Sequence, residues 1–266
     1  MAEFEPPSED WLTTYADAIT LLMAFFVMLL TFAEFDIPAY QEAVAGIAEE
    51  IGGNSKAASP ITEMQIEIQD VMLEMDANQV VDVRKDDKGV VIDLASGAFF
   101  NSGTADVRAA AIPVLENIVK VINAPNYDFY TIEAEGHTDD DPISTKRYPS
   151  NWELSAGRAS AIVRVFATSG ISPGRMKASG YAETQPKVPN RNLDGTAILE
   201  NQSVNRRITI HVIPMSLKMK AKYETAMLEA AKLREMQEEA ANPEEEVEPT
   251  SADPGAVSVF DGQETQ

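Results

Sequence analysis

Cysteine is absent from the 266 residues, and histidine occurs only twice, at His137 and His211. A disulfide framework, a thiolate metal site and a cysteine nucleophile are therefore excluded. Basic residues are also scarce: 21 Lys and Arg against 43 Asp and Glu give a formal net charge of −22. So acidic a chain lacks the basic footprint of nucleic-acid binding proteins and a polybasic patch for anionic lipid. No nucleic-acid partner is expected.

Charge is missing altogether from Ala18 to Ala33. The apolar segment begins at Trp11, and a helix over its 23 residues reaches about 34 Å, enough to cross a bilayer core. A cleaved signal peptide is disfavoured because the residues before Trp11 are acidic and no small-residue cleavage site follows. A buried core helix is the other alternative. We predict one transmembrane helix over residues 11–35. The first basic residue is Lys56, so charge alone does not orient it.

Asp17 is a single acid inside this apolar segment. An ionised carboxylate within a membrane helix costs about 2.5–3.5 kcal/mol on insertion scales, so Asp17 is expected to face a partner or a hydrated path. The alternative is that Asp17 lies near the interface and caps the helix or extends into the headgroups.

The run from Trp11 to Phe26 resembles the single membrane segment of the MotB/PomB stator family, whose hallmark is an aromatic-Ala-Asp step followed by an apolar run with a Phe-Phe pair. The resemblance implies that Asp17 carries the transported H⁺ or Na⁺ and that the chain needs no other cofactor. It implies a homodimer, a MotA/PomA-type multi-pass partner and coupling of ion flow to flagellar rotation. It also implies a single pass through the bacterial inner membrane, with residues 1–10 in the cytoplasm and the C-terminal domain in the periplasm. The segment 31–36 is similar to the sodium-type branch, but the ion stays open.

Residues 36–53 show an amphipathic pattern that begins at an N-cap acid, Asp36, with Pro38 in the first turn. In the stator family the matching segment is a plug that blocks the ion path; an ordinary linker helix is the alternative. A second stripe lies in the linker of residues 54–79 and suits either helix pairing or docking against the next domain. The predicted plug stripe is Ile37, Tyr40, Val44, Ile47 and Ile51, and the second stripe is Ile61, Met64, Ile68, Val71 and Met75.

Residues 80–215 predict a folded α+β domain in which helices cover one face of a mixed sheet. Two β-branched runs around a charged turn predict a hairpin, and three further strands are predicted later in the chain. After this domain we expect a helix over 216–241 and a disordered tail over 242–266, which holds seven acids and no base. The predicted strands are 80–84, 90–94, 130–134, 175–181 and 207–213, and the predicted helices are 105–122 and 151–168.

Candidate binding chemistry concentrates between residues 133 and 158. Asp139 follows a strand, and Ser150 with Glu153 forms a capping box at the start of the next helix. Arg158 lies two turns along that helix, so a carboxylate on a loop faces a guanidinium on a helix. Such a slot suits a zwitterion, with Asp139 for an ammonium and Arg158 for a carboxylate. An ion pair between Asp139 and Arg158 themselves is the structural alternative.

Four blocks in this region resemble the OmpA-like peptidoglycan-binding domain, in its order, over residues 90–213. They are Gly136–Asp139, Asn151–Ala159, Gly180–Pro186 and Asn205–Ile208. The resemblance implies that Asp139 and Arg158 hold the diaminopimelate group of the cell-wall peptide, that Asn151 and Leu154 shape the pocket, and that Arg206 and Arg207 support it. Two departures stand out: Ala182 replaces a usual glycine, and residues 195–204 are less typical.

Three other functions are alternatives for this sequence. The cluster from His137 to Asp141 could hold a metal or act as a general base, but no H-x-x-x-H or EF-hand spacing accompanies it. We therefore expect neither a metal site nor an enzyme. A purely structural OmpA-like anchor has no need of Asp17. A MotB-like subunit of a phage-defence complex resembling Zorya stays open, because these residues do not separate it from a flagellar stator.

Overall fold

The computed structural model describes residues 10–32, Tyr40, Val44 and 59–241. Helix α1 is followed, after the linker, by a domain of five strands with the helices around them and by a long C-terminal helix. The helices are α1 Asp10–Phe32, α2 Pro60–Glu74, α3 Ser96–Phe99, α4 Ile112–Ile122, α5 Asn151–Thr168, α6 Leu199–Asn205 and α7 Leu217–Ala241. The strands are β1 Val81–Lys85, β2 Val90–Ala95, β3 Tyr130–Gly136, β4 Met176–Gly180 and β5 Arg207–Pro214.

Helix α1 confirms the prediction of one N-terminal apolar helix. Its 23 residues include a stretch, Trp11–Thr31, of mean hydropathy 1.8, long and apolar enough to cross a membrane. The described side chains of that stretch are all exposed in the isolated chain, Asp17 among them. An apolar helix without a covering core is what a bilayer stabilises.

Most of the predicted plug lies outside the described residues. Ile37, Ile47 and Ile51 belong to that part, whereas Tyr40 and Val44 are helical and exposed. The acidic tail over 242–266 also lies outside the described residues.

The sheet has the order β1-β2-β5-β3-β4. The pairs β1–β2, β2–β5 and β5–β3 are antiparallel, and β4 runs parallel to β3, so the sheet is mixed as predicted. β1 and β2 form the predicted hairpin, closed by Asp86, whose carboxylate accepts hydrogen bonds from the backbone of Lys88 and Gly89. The central strands supply the core with side chains that are 0–1% exposed: Ile92, Leu94, Ile132, Ala134, Ile208, Ile210 and Val212.

Helix α2 docks against the domain. The sequence left open whether the apolar stripe of residues 61–75 serves helix pairing or docking, and the structure shows docking. Ile61, Met64 and Ile68 are buried in the same core as the strands. The fourth buried position is Met72, while Val71 and Met75 are only partly buried against that core. The side chain of Gln69 donates to the Val83 carbonyl oxygen at 2.8 Å and fixes α2 beside β1.

Helix α5 crosses β3 and β4 at very short range because glycines stand at the crossing. A Cβ atom added at Gly136 would lie 2.1 Å from the Ser155 carbonyl oxygen, and one at Gly180 would lie 2.5 Å from the Ala156 nitrogen. No side chain fits at either place. This contact carries α5 to the end of β3, where the candidate site begins.

The helix predicted over 105–122 starts later in the structure. A short 3₁₀ turn, Ala109–Ala111, precedes α4, and Pro113 lies in the first turn of α4, where its missing N–H costs nothing. Residues 105–108 are not helical because Phe100 forms a bridge with Val107 and the Arg108 N–H donates to the Phe99 carbonyl oxygen. The short helices α3 and α6 were not predicted.

Candidate functional site

The loop after β3 presents Asp139, and two backbone hydrogen bonds hold that loop in place. The His137 N–H donates to the Arg207 carbonyl oxygen at 3.0 Å, and the Thr138 N–H donates to the Ala182 carbonyl oxygen at 2.9 Å. Ala182 has a φ of +50°, a left-handed conformation that explains why glycine is usual there. Its N–H donates to the Ser155 hydroxyl, so the two loops are tied to α5.

The N-terminus of α5 forms the second wall of the site. Ser150 and Glu153 make the predicted capping box, with the Ser150 N–H donating to the Glu153 carboxylate at 2.8 Å. The Asn151 side-chain amide donates to the carbonyl oxygens of Asp141 at 3.0 Å and Asp139 at 3.4 Å. Asn151 therefore fixes the acidic loop against the helix that carries Leu154 and Arg158.

Arg158 is a buried guanidinium, 5% exposed. Its Nε donates to the Thr104 carbonyl oxygen at 2.9 Å, and its guanidinium carbon lies 5.4 Å from the centre of the Phe100 ring. Burial, together with the nearby Arg206, lowers the pKa of Arg158 to about 10, so the group still carries its charge at neutral pH. Within the described residues no carboxylate oxygen lies within 4.0 Å of it.

Asp139 pairs with Arg206 instead of Arg158. The Arg206 Nη1 atom lies 2.5 Å from Asp139 Oδ2, and the whole Asp139 residue is 8% exposed. The alternative of an ion pair between Asp139 and Arg158 is therefore wrong, although the charge of Asp139 still raises the pKa of Arg158 against the effect of burial. The structure holds one satisfied carboxylate and, beside it, one guanidinium without a carboxylate partner.

Five predicted residues meet at one cavity of about 340 Å³: Asp139, Asn151, Leu154, Arg158 and Arg206. Its apolar wall includes Leu154 and Phe100, and its polar wall includes the carboxylate of Asp139 and the guanidinium of Arg158. A pocket with a few convergent charges on an apolar wall is the usual form of a small-ligand site.

Arg207 is the predicted residue that the structure does not bring to this cavity. It lines a separate cavity of about 170 Å³, where its Nε lies 4.0 Å from Asp93 Oδ1. Asp93 also accepts from Thr209 at 2.6 Å and from Lys187 at 3.1 Å. Burial opposes the ionisation of Asp93, but these donors and Arg84 together lower its pKa. Arg207 therefore belongs to a charge network on the sheet.

Sequence reasoning missed several residues of the cavity. Arg108 and the loop 101–103 line it, although no motif marks them, and Asp141 lines it although the sequence suggested it only as part of a metal or general-base cluster. Arg191 was also missed: it pairs with Asp140 and Asp141 at the rim, and Gln202 donates to Asp140 at 2.9 Å. Over the described ranges no group of three His, Cys, Asp or Glu residues is placed to hold a metal ion.

Two family models match the sequence. That of the OmpA family matches residues 99–198, which include most of the cavity. The model described as membrane MotB of the proton-channel complex MotA/MotB matches residues 2–51.

Two curated relatives each match about three quarters of this chain or more. The uncharacterized protein YtxE of Bacillus subtilis is 34% identical over 221 residues, covering 76% of this chain and 88% of that protein. Motility protein B of Bacillus subtilis is 25% identical over 253 residues, covering 80% of this chain and 93% of the relative. The crystal structure of a MotB-like protein from Desulfovibrio vulgaris, at 25% identity, superposes with a TM-score of 0.51 over 58% of this chain and 94% of that one.

Proposed function

This chain belongs to the MotB family of motility stators and carries a C-terminal OmpA-like domain. On that basis we propose that it binds peptidoglycan in the cavity around Arg158 and that Asp17 carries the transported ions. The proposed assembly is a homodimer with a MotA/PomA-type multi-pass partner in the bacterial inner membrane. The OmpA-like domain then lies in the periplasm, within reach of the wall.

The observation that carries this proposal is the guanidinium of Arg158. A buried cation without a carboxylate partner is costly unless a ligand completes it. Its Nε is already bound to the Thr104 carbonyl oxygen, so the two Nη groups remain for a bidentate carboxylate. Asp139 lines the same cavity, and because Arg206 contacts only its Oδ2 atom, the Oδ1 atom is the proposed acceptor for an ammonium group. A diamino acid side group with one ammonium and one carboxylate, such as diaminopimelate, matches both charges.

The proposed ion carrier is Asp17, in the exposed apolar helix α1. Occupation of its carboxylate by H⁺ or Na⁺ cancels a charge inside the membrane and so changes which partner surface is favoured. One charge crossing 100 mV releases about 2.3 kcal/mol, several times the thermal energy, which is adequate to bias one step. The plug role of residues 36–53 belongs to the same proposal and is supported by the match to residues 2–51.

The wall contact is tested by pull-down of the detergent-solubilised full chain on purified sacculi. Arg158→Ala removes a charge-assisted bidentate contact, and such contacts typically contribute about 1.5–3 kcal/mol to binding. We therefore expect the affinity of this variant for sacculi to be about ten-fold lower than that of the wild type, or lower still. Arg164→Ala is the matched control, since Arg164 is exposed on the same helix and does not line the cavity.

A thermal melt of each variant accompanies the pull-down and separates ligand binding from folding. We expect Arg158→Ala to stay folded, because the substitution removes a buried charge that lacks a carboxylate partner. Full sacculus binding by folded Arg158→Ala would show that the cavity is not the wall contact.

A further inference from the structure

Arg108 is a second guanidinium on the cavity wall without a carboxylate partner. It lines the same cavity as Arg158. Its side chain is exposed, and among the residues that the structure describes no carboxylate lies within 4.0 Å of it. The family resemblance gave Arg108 no role.

One short loop connects the two guanidinium groups. Within the loop 101–106, the Thr104 carbonyl oxygen accepts a hydrogen bond from Arg158 Nε at 2.9 Å. Its far end is closed by the Phe100–Val107 bridge and by the Arg108 N–H, which donates to the Phe99 carbonyl oxygen at 2.9 Å. Phe99 and Phe100 are each 1% exposed, so the loop is anchored in the core and Arg108 projects from a fixed backbone position.

The charges of the cavity do not balance. Three arginines and two aspartates line it, a net charge of +1: Arg108, Arg158 and Arg206 against Asp139 and Asp141. Asp139 is paired with Arg206, and Asp141 shares Arg191 with Asp140. Arg158 and Arg108 are left over, in a chain whose formal net charge is −22. A ligand group with one ammonium and one carboxylate leaves this surplus of one positive charge unchanged, so the cavity favours a ligand that carries a further carboxylate.

We propose that Arg108 forms a second carboxylate subsite, which receives the acid group of the residue that adjoins the diamino acid in the wall peptide. The inference rests on the proposed function, since it needs a wall peptide with its ammonium and first carboxylate at Asp139 and Arg158. The chemistry required of the neighbouring residue is a free carboxylate, as in a γ-linked glutamate whose α-carboxylate is unmodified. Amidation of that group removes the charge and the contact.

Two synthetic tripeptides test the subsite. Both contain L-alanine, γ-linked D-glutamate and meso-diaminopimelate, and they differ only in a free or amidated α-carboxylate on the glutamate. Binding to the detergent-solubilised full chain is measured by calorimetry. We expect the free acid to bind about five-fold more tightly, as for one charged contact at a partly exposed rim. Arg108→Gln should bind both peptides equally, with the affinity of the wild type for the amide.

The remaining outcomes are distinguishable. Arg164→Gln, which removes one positive charge from the surface of α5, should keep the five-fold preference. Equal binding of both peptides by the wild type, or a preference that survives in Arg108→Gln, overturns the Arg108 subsite and leaves the wall contact standing. Binding of neither peptide by the wild type overturns the subsite together with the proposed function.

Discussion

The Glu135 side chain lies close to two imidazole rings, those of His137 and His211. Its Oε2 atom is 3.8 Å from His137 Nε2 and 3.5 Å from His211 Nε2, distances typical of a charge contact more than of a good hydrogen bond. The ring of His137 also stacks on Tyr181, with centroids 5.5 Å apart. His137 and then His211 lower the pKa of the Glu135 carboxyl, and Glu135 in turn raises the pKa of His211.

These opposite shifts predict a pH window for stability. The depressed pKa of Glu135 contributes stability above its ordinary value of 4.5, and that contribution is lost as the pH falls through the folded-state pKa. The raised pKa of His211 contributes stability below 6.5 that is lost as the pH rises through the folded-state pKa. Glu135→Gln should therefore lower the melting temperature most between these values, by about 3 °C for a pair worth about 1 kcal/mol.

Melting curves of the wild type and Glu135→Gln between pH 4 and pH 9 check this window. The difference between the two proteins should shrink above neutral pH, once His211 is neutral. A difference that stays constant over the whole range would mean that Glu135 acts through packing and not through its charge.

At the scale of elements, the close crossing of α5 over β3 is the contact on which the cavity depends. Gly136→Ala would place a methyl group 2.1 Å from the Ser155 carbonyl oxygen, which is backbone and cannot rotate away. The helix must shift, and we expect a loss of about 1–3 kcal/mol in the free energy of unfolding. Since α5 carries Asn151, Leu154 and Arg158, the shift should weaken sacculus binding as well.

Gly97→Ala is the control for this change, because a Cβ atom at Gly97 meets nothing within 4 Å. Denaturant unfolding should show stability near that of the wild type for Gly97→Ala and a clear loss for Gly136→Ala. Equal stability of the two variants would contradict the close-contact argument.

An element could be predicted from the sequence where neighbouring residues specify it, and could not where contacts formed only in the folded chain specify it. The bounds of α5 agree with the prediction over 151–168 because the capping box marks the start locally. The hairpin was also predicted, since a charged turn separates two β-branched runs. The start of α4 was not, because the Phe100–Val107 bridge that excludes a helix there forms only in the folded chain.

The same reason limits prediction of the site. Asp139, Asn151, Leu154 and Arg158 follow from blocks of neighbouring residues. The pairing of Asp139 with Arg206 joins positions far apart in the chain, and nothing local signals it. Arg206 follows the last residue of α6 and Arg207 begins β5, so two adjacent arginines line different cavities. A sequence block that contains both cannot assign them separately.

At the scale of the whole molecule, the proposed function joins an acid in α1 to a wall contact in the OmpA-like domain. Asp17→Asn keeps the size of the side chain but removes its ability to change charge. We expect the protein to be inserted and to bind sacculi normally, while swimming on soft agar is lost. Asp17→Glu keeps the carboxylate and should be milder. Normal swimming of Asp17→Asn cells would rule out Asp17 as the ion carrier.

Helix α2 is the first element of the OmpA-like domain that follows the linker from the membrane helix, so it determines how the domain responds to tension. A pull from the membrane side reaches α2 first, and α2 is held by a few core side chains and the Gln69 contact. Its 15 residues span about 22 Å as a helix and about 50 Å when extended. Peeling α2 from the domain therefore lengthens the tether by roughly 28 Å. Because no residue of α2 lines the cavity, we expect this extension to leave the proposed wall contact in place. Under that expectation α2 would yield to load before the wall contact does.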